Sequence, residues 1–217
     1  MKDTQLTLRE VRGPLDALNK NLTSKDAKEW LSALNKFLRK ENPWKEVVKK
    51  TKKLLKSLGT VMVPATKKFI FKDEFVKGKN DINWTGENLV KWFSNIVEEP
   101  IEKTKFRKSL LLERSVDNPI IKKLGGRQKV KAYFSQILSL MNNVLKRDGT
   151  VYIFYAETDV FSKDEEHLAY ENEKGKKVVL RAVFVHWFVS GWRVDASIVE
   201  SLYRWDVGSV VFSRNSC

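Results

Sequence analysis

Cysteine is almost missing from this chain: one in 217 residues, at Cys217. A single thiol excludes any disulfide within the chain, which fits a reducing compartment. Histidine is nearly as scarce, with His167 and His186 alone. One cysteine and two histidines do not make a structural zinc site without recruiting several carboxylates. Long apolar runs are also lacking, and none approaches the ~18 residues that a membrane-spanning helix needs. The opening Met1-Lys2-Asp3-Thr4-Gln5 does not have the charged-then-apolar order of a secretion signal. These absences lead to the expectation of a cytoplasmic protein with no membrane span, no metal site and no cofactor.

What is present is aromatic mass and positive charge. A hydrophobic share of 42% with 12 Phe and 7 Trp argues for a packed globule rather than a disordered tail. The formal net charge is +14 and unevenly spread: residues 1–80 hold 20 Lys/Arg against 9 Asp/Glu, whereas residues 150–217 hold 8 against 10. A basic end on a near-neutral remainder is the pattern of a protein that meets a polyanion, nucleic acid above all. The plainer reading is that lysines keep an aromatic-rich protein in solution.

Hydrophobic spacing predicts an α+β fold. Ser24 reads as an N-cap, and Ala27, Trp30, Leu31, Leu34, Phe37 and Leu38 recur at helical spacing before Pro43. A second helix is predicted from Trp44 through Val47, Val48, Thr51, Leu55 and Leu58 to a stop at Gly59. Together they make a basic helix pair. Val61–Val63 and Phe69–Phe71 then read as a short hairpin. The middle reads as helical, with one helix opening at Thr85-Gly86, another from Ile101 to about Ser115, and a turn of helix from Asp117 to Gly125-Gly126. The longest helix is predicted from Arg127 to about Arg147. From Thr150 the period becomes two: Val151–Tyr155, Val178–Val189, Trp192–Ser197 and Val210–Phe212 read as strands of a C-terminal antiparallel sheet that packs on that long helix. The expected division is a basic helical region with a short hairpin over 1–80 and an α+β domain over 81–217.

Four constellations carry possible chemistry. If Ser190-Gly191 is a two-residue hairpin loop, Val189 faces Trp192, Phe188 faces Arg193, His186 faces Asp195 and Arg181 faces Glu200. A carboxylate that orients an imidazole is the back half of many acid–base sites, so His186 and Asp195 are the catalytic candidates; a satisfied structural pair is the plainer reading. Asp164, Glu165, Glu166 and His167, with Glu157 and Asp159, offer oxygen ligands in no recognised spacing, and read best as a solvated charged loop over 162–177. Gly126 and Arg127 open a helix whose amides suit an anion, although no Walker-type Gly-Lys-Ser/Thr ending follows. Finally, Lys45, Lys49, Lys52, Lys53 and Lys56 share one helix face, with Arg39 and Lys40 before it and Lys67 and Lys68 after. Such a surface suits a phosphate backbone with little sequence specificity.

Several segments resemble the corresponding segments of a family of uncharacterised hypothetical proteins from candidate-phyla (Parcubacteria-like) bacteria. They are Phe37-Leu38-Arg39-Lys40-Glu41-Asn42-Pro43-Trp44, Asn88-Leu89-Val90-Lys91-Trp92-Phe93 with Val97-Glu98-Glu99-Pro100, and Ser115-Val116-Asp117-Asn118-Pro119 leading into Leu124-Gly125-Gly126. Gly191-Trp192-Arg193-Val194-Asp195-Ala196 and Val211-Phe212-Ser213-Arg214-Asn215-Ser216 continue the likeness. The acidic stretch around Lys163–Glu173 and the terminal Cys217 depart from it. The resemblance implies a bacterial, cytoplasmic origin and brings no activity, cofactor or site. The residues themselves favour a non-enzymatic binding protein that contacts nucleic acid or an acidic protein partner. An assembly module using exposed aromatics and an enzyme built on His186 and Asp195 are the alternatives.

Overall fold

The computed structural model describes residues 8–39 and 53–214. The chain forms two units that part between Lys52 and Lys53 rather than near residue 80. The first contains two helices, α1 (Leu8–Leu22) and α2 (Ala27–Leu38). Between them Thr23 Oγ1 donates to the Asn19 carbonyl at 3.1 Å and Ser24 Oγ accepts the Asp26 amide at 3.2 Å, so short polar side chains close the turn. The stripe from Ala27 to Leu38 is therefore helical as its spacing predicts, but its partner is α1. The expected partner from Trp44 onward falls largely on residues 40–52, outside the described residues, and from Leu55 the chain is strand.

The second unit runs β1 (Leu55–Val63), β2 (Phe69–Ile70), α3 (Phe71–Glu74), β3 (Ile82–Thr85), α4 (Glu87–Phe93), β4 (Val97–Glu98), β5 (Thr104–Leu111), α5 (Asp117–Lys123), α6 (Arg127–Val130) and α7 (Phe134–Asn143). It continues with β6 (Tyr152–Thr158), a 3-10 turn at Lys163–Leu168, β7 (Tyr170–Glu171), β8 (Lys177–Phe188), β9 (Gly191–Ile198) and β10 (Val210–Arg214). The main sheet has the order β1-β5-β10-β6-β8-β9-β3, with β7 alongside β8, and β2 pairs only with β4. The β10–β6 and β9–β3 pairings are parallel and the rest of the sheet is antiparallel.

The fold is thus α+β, but three sequence expectations are corrected. The sheet is mixed, and it takes in β3, β5 and the Leu55–Leu58 part of β1, none of them predicted as strand. Ile101–Ser115 is not a helix: Thr104–Leu111 lies between β1 and β10, hydrogen-bonded on both sides. The Val61–Val63 and Phe69–Phe71 stretches do not pair with each other; Val63 faces Thr104 and Phe69 faces Glu98.

Alternation along the strands divides the core in two. Tyr152, Phe154 and Ala156 turn to one face with Val183, Val185, Trp192 and Phe212, where α4 and α7 cover them. Phe134 at the start of α7 is the hub of that layer, with ring centroids 4.8 Å from Phe71, 5.3 Å from Phe75 and 4.7 Å from Phe93, all edge-to-face. Ile153 and Tyr155 turn to the other face, against Ile120, Val130 and Trp205. The long helix predicted from Arg127 is accordingly two helices on opposite faces. The chain crosses between them at Lys131–Tyr133, where Lys131 bridges Tyr155 and the Ala132 amide donates to the Tyr155 carbonyl at 2.8 Å.

One carboxylate is buried in the second layer. Asp117 Oδ1 accepts from the Tyr155 hydroxyl at 2.8 Å and from Trp205 Nε1 at 2.7 Å. Burial nonetheless lifts its pKa from 3.8 to about 6, against those two donors. The folded protein therefore holds a proton that the unfolded chain releases. This contribution to stability is full below pH 3.8 and is lost as pH rises through about 6. At neutral pH the charged form costs on the order of 2–3 kcal/mol. Asp117→Asn keeps an oxygen for both donors. Urea midpoints of wild type and variant are expected to converge near pH 4, with the variant the more stable at pH 7; a constant difference across that range counts against a titrating Asp117.

Candidate functional site

The predicted His186–Asp195 pair is not formed. The loop between β8 and β9 is Val189-Ser190, so Phe188 faces Gly191, His186 faces Arg193 and Asp195 faces Phe184. Gly191 is not a turn residue: a Cβ there would lie 2.7 Å from the Asp81 carbonyl, which accepts the Trp192 amide at 2.7 Å. Its small size lets β3 approach β9. Asp195 accepts the Ala196 amide at 2.7 Å and the Leu89 amide in the first turn of α4, so it is a helix cap. Burial, and then the neighbouring Arg193, lower the pKa of the His186 imidazole from its ordinary value. Arg181 faces Ile198 rather than Glu200.

The acidic stretch over 162–177 is exposed at Asp164, Glu171 and Glu173 but anchored at Glu165 and Glu166. Glu165 accepts the Ser162 amide at 2.9 Å and pairs with Arg181, whose side chain is 0% exposed. That guanidinium lies over the Trp92 ring at 4.1 Å and donates to the Val160 carbonyl at 3.2 Å. Lys176 pairs with Asp159 and Lys177 with Glu166. Asp159, Glu165 and Glu166 are thus engaged by cations, and among the described residues no group of three or more His, Cys, Asp or Glu gathers as a metal site.

Gly126 takes a φ of +93° and the helix it opens, α6, is four residues long. Arg127 lies over the Tyr170 ring at 4.9 Å. Of the basic candidates, Lys40, Lys45, Lys49 and Lys52 lie outside the described residues. Arg39 follows the last residue of α2. Lys53, Lys56, Lys67 and Lys68 are exposed, with Lys56 on β1 and the other three in the segments on either side of it. Lys105 and Arg107 on β5 are exposed as well. Strand alternation turns Lys56 to one face and Lys105 and Arg107 to the other.

The second unit also holds a cavity of about 640 Å³ that sequence reasoning missed. It opens where the sheet parts. β10 pairs with β6 only at Val210 and Val211, whereas β6 runs on to Thr158, and Lys131–Tyr133 fills the edge so freed. Ala132, Phe134, Ala156 and Val178 form buried walls. Lys131 Nζ meets Glu157 Oε2 at 2.6 Å with both side chains at most 10% exposed, and Tyr170 donates to Glu157 Oε1 at 3.1 Å. Glu98, raised by burial, accepts the Phe134 and Ser135 amides at 2.6 and 2.9 Å and so caps α7. Arg214, the last residue of β10, lies over Tyr133 at 4.9 Å with Nε and Nη2 shielded from solvent and lacking an acceptor. These residues come from six strands and helices and the Lys131–Tyr133 crossing, and nothing in their sequence spacing groups them.

The chain matches no family model, none of the curated proteins and no solved structure compared with it.

Proposed function

We propose that this chain is a non-enzymatic binding protein of the bacterial cytoplasm that contacts nucleic acid, with little sequence specificity, through the lysines and arginine of β1, β5 and the residues beside them. The observation that carries this reading is the charge of one edge of the sheet. The paired strands β1 and β5 bear Lys56 and Lys108 on one face, Lys105 and Arg107 on the other, and not one acidic side chain. Lys53, Lys67 and Lys68, all exposed, flank them in sequence. Phosphates attract such a surface whatever the base sequence, and the free energy comes largely from released counterions.

Fluorescence anisotropy with labelled single-stranded DNA, duplex DNA and RNA tests this at about 50 and 200 mM salt. Six to ten phosphate contacts predict a loss of about 10³–10⁵ in affinity across that range. Exchanging Lys53, Lys56 and Lys105 for Glu is expected to abolish binding at the lower salt. Absence of binding at 50 mM, or binding indifferent to salt, sinks the reading.

A specific observation favours protein assembly as the second reading. Trp84 and Phe188 are 44% and 45% exposed, and Arg193 lies 5.9 and 4.0 Å from their ring centroids. Aromatic side chains with an intervening Arg are the composition of protein-contact hot spots.

A further inference from the structure

We infer, on the nucleic-acid reading above, that the sheet face at β8, β9 and β3 is a stacking platform for the unpaired bases of a single strand. Trp84 faces Arg193 across β3 and β9, and Arg193 faces His186 across β9 and β8. The three therefore stand in one row on one face, with Phe188 two residues beyond His186. The Arg193 guanidinium lies over both of the exposed rings, Trp84 and Phe188. Planar groups side by side on neighbouring strands meet the faces of unstacked bases, whatever the identity of each base. A duplex offers no such faces, because its bases cover one another. The row is also held in advance: Asn83 Nδ2 donates to the Phe188 carbonyl at 3.3 Å and ties the hairpin to β3.

Charge on the same face favours a polyanion over an apolar protein partner. Phe184 and Leu111 belong to one core layer, so Phe188 and Arg193 share their side of the sheet with Lys105 and Arg107. The helices α5 and α6 pack on that layer against β6, which lies between β5 and β9 in the sheet. They expose Lys122, Lys123, Arg127 and Lys129, and their one acid, Asp117, is buried. Asp195, on the same face as Arg193, is engaged by the Ala196 and Leu89 amides. Phosphates thus find cations from the stacking row toward the far edge of the sheet.

Fluorescence anisotropy of the full chain at about 50 mM salt tests this with three labelled probes. They are an oligothymidylate, an abasic deoxyribose-phosphate strand of equal length, and the oligothymidylate annealed to its complement. The oligothymidylate is expected to bind about 10-fold or more tighter than the abasic strand, which carries the same charge. Trp84→Leu and Phe188→Leu are each expected to weaken oligothymidylate binding by about 5–150-fold. Both should leave the abasic strand and the duplex within about 2-fold, and Trp84→Phe, which keeps a ring, should bind oligothymidylate within about 3-fold of the unaltered protein. Equal affinity for the two single strands overturns the inference, as does undiminished oligothymidylate binding by the folded leucine variants. So does self-association of the unaltered protein, read by sedimentation velocity, that the same variants abolish, since it gives the rings to a protein contact. If none of the three probes binds, the nucleic-acid reading itself fails; if they bind without regard to bases or rings, the platform alone fails. The comparison of the two single strands needs no variant, so it can refute the platform even if a substitution unfolds the protein.

Discussion

Replacing Glu165 with alanine is expected to cost about 3–5 kcal/mol of folding stability, a large share of the ~5–15 kcal/mol that holds a typical protein folded. Arg181 is the reason. Its side chain is 0% exposed and stacks on Trp92. Glu165 is its carboxylate partner, contacting both Nη1 and Nη2. Removing that partner leaves a charge in the protein interior with a single carbonyl acceptor, from Val160. The reverse change is milder. Arg181→Met supplies an apolar side chain to Trp92, and Glu165, with 16% of its side chain exposed, still reaches water. Combining Arg181→Met with Glu165→Ala is expected to recover most of the loss, because an apolar replacement of a whole buried pair is close to neutral. Urea denaturation of the four proteins measures this directly. A cost below about 1 kcal/mol for Glu165→Ala alone contradicts the argument. The pH sign is opposite to that of Asp117. Arg181 draws the Glu165 carboxyl down from 4.5 to about 2, so its contribution is present above pH 4.5 and is lost as pH falls toward 2.

Gly86→Ala is expected to destabilise by about 3 kcal/mol, although the backbone there is ordinary. With φ at −71° and ψ at 152° an alanine suffers no conformational strain. The obstacle is Asp195: an added Cβ would stand 1.8 Å from its Oδ1 and 2.1 Å from its Cγ. That carboxylate has little freedom to retreat while it holds the Ala196 and Leu89 amides. Asp195→Ala alone removes a cap and is expected to cost about 1 kcal/mol. In the Gly86→Ala background the same change removes the clash, so the double variant should be more stable than Gly86→Ala. Additive losses in thermal or urea unfolding would mean that the clash is relieved by some other movement.

The same pair of residues explains what sequence reading reached and what it missed. The helix from Gly86 was legible because Leu89, Trp92 and Phe93 recur on one face, and those three are its buried residues. Asp117-Asn118-Pro119 and the strand at Val210–Phe212 were legible for similarly local reasons. The role of Asp195 was not, because it depends on β9 lying beside α4. Gly191 misled for the opposite reason: glycine beside serine reads as a turn, whereas this glycine admits the Asp81 carbonyl, and Val189 takes the positive φ of 56° instead. β5 escaped because Phe106, Leu110 and Leu111 satisfy a helical period as well as a strand. What decides the matter is hydrogen bonding to Leu55–Val63 and Val210–Arg214, both far away in sequence. The break at Lys131–Tyr133 has no glycine or proline to announce it; Tyr155 makes it by accepting the Ala132 amide. The cavity was invisible for the same reason, since it exists only where that crossing meets the end of β10.

The position of β10 has a kinetic consequence. Tenth in chain order, it lies in the middle of the sheet, between β5 and β6. The β6–β8–β9 meander can form from contacts local in sequence, and so can little else. The β1–β5 pair joins it in the sheet only through Val210–Arg214. A nascent chain therefore carries two half-sheets, each with an open edge, until that short segment has been synthesised and inserted. Closing such long loops slows folding and prolongs the exposure of unpaired strands. The lysines of β1 and β5 are the kind of charge that discourages those edges from pairing with another chain during that interval.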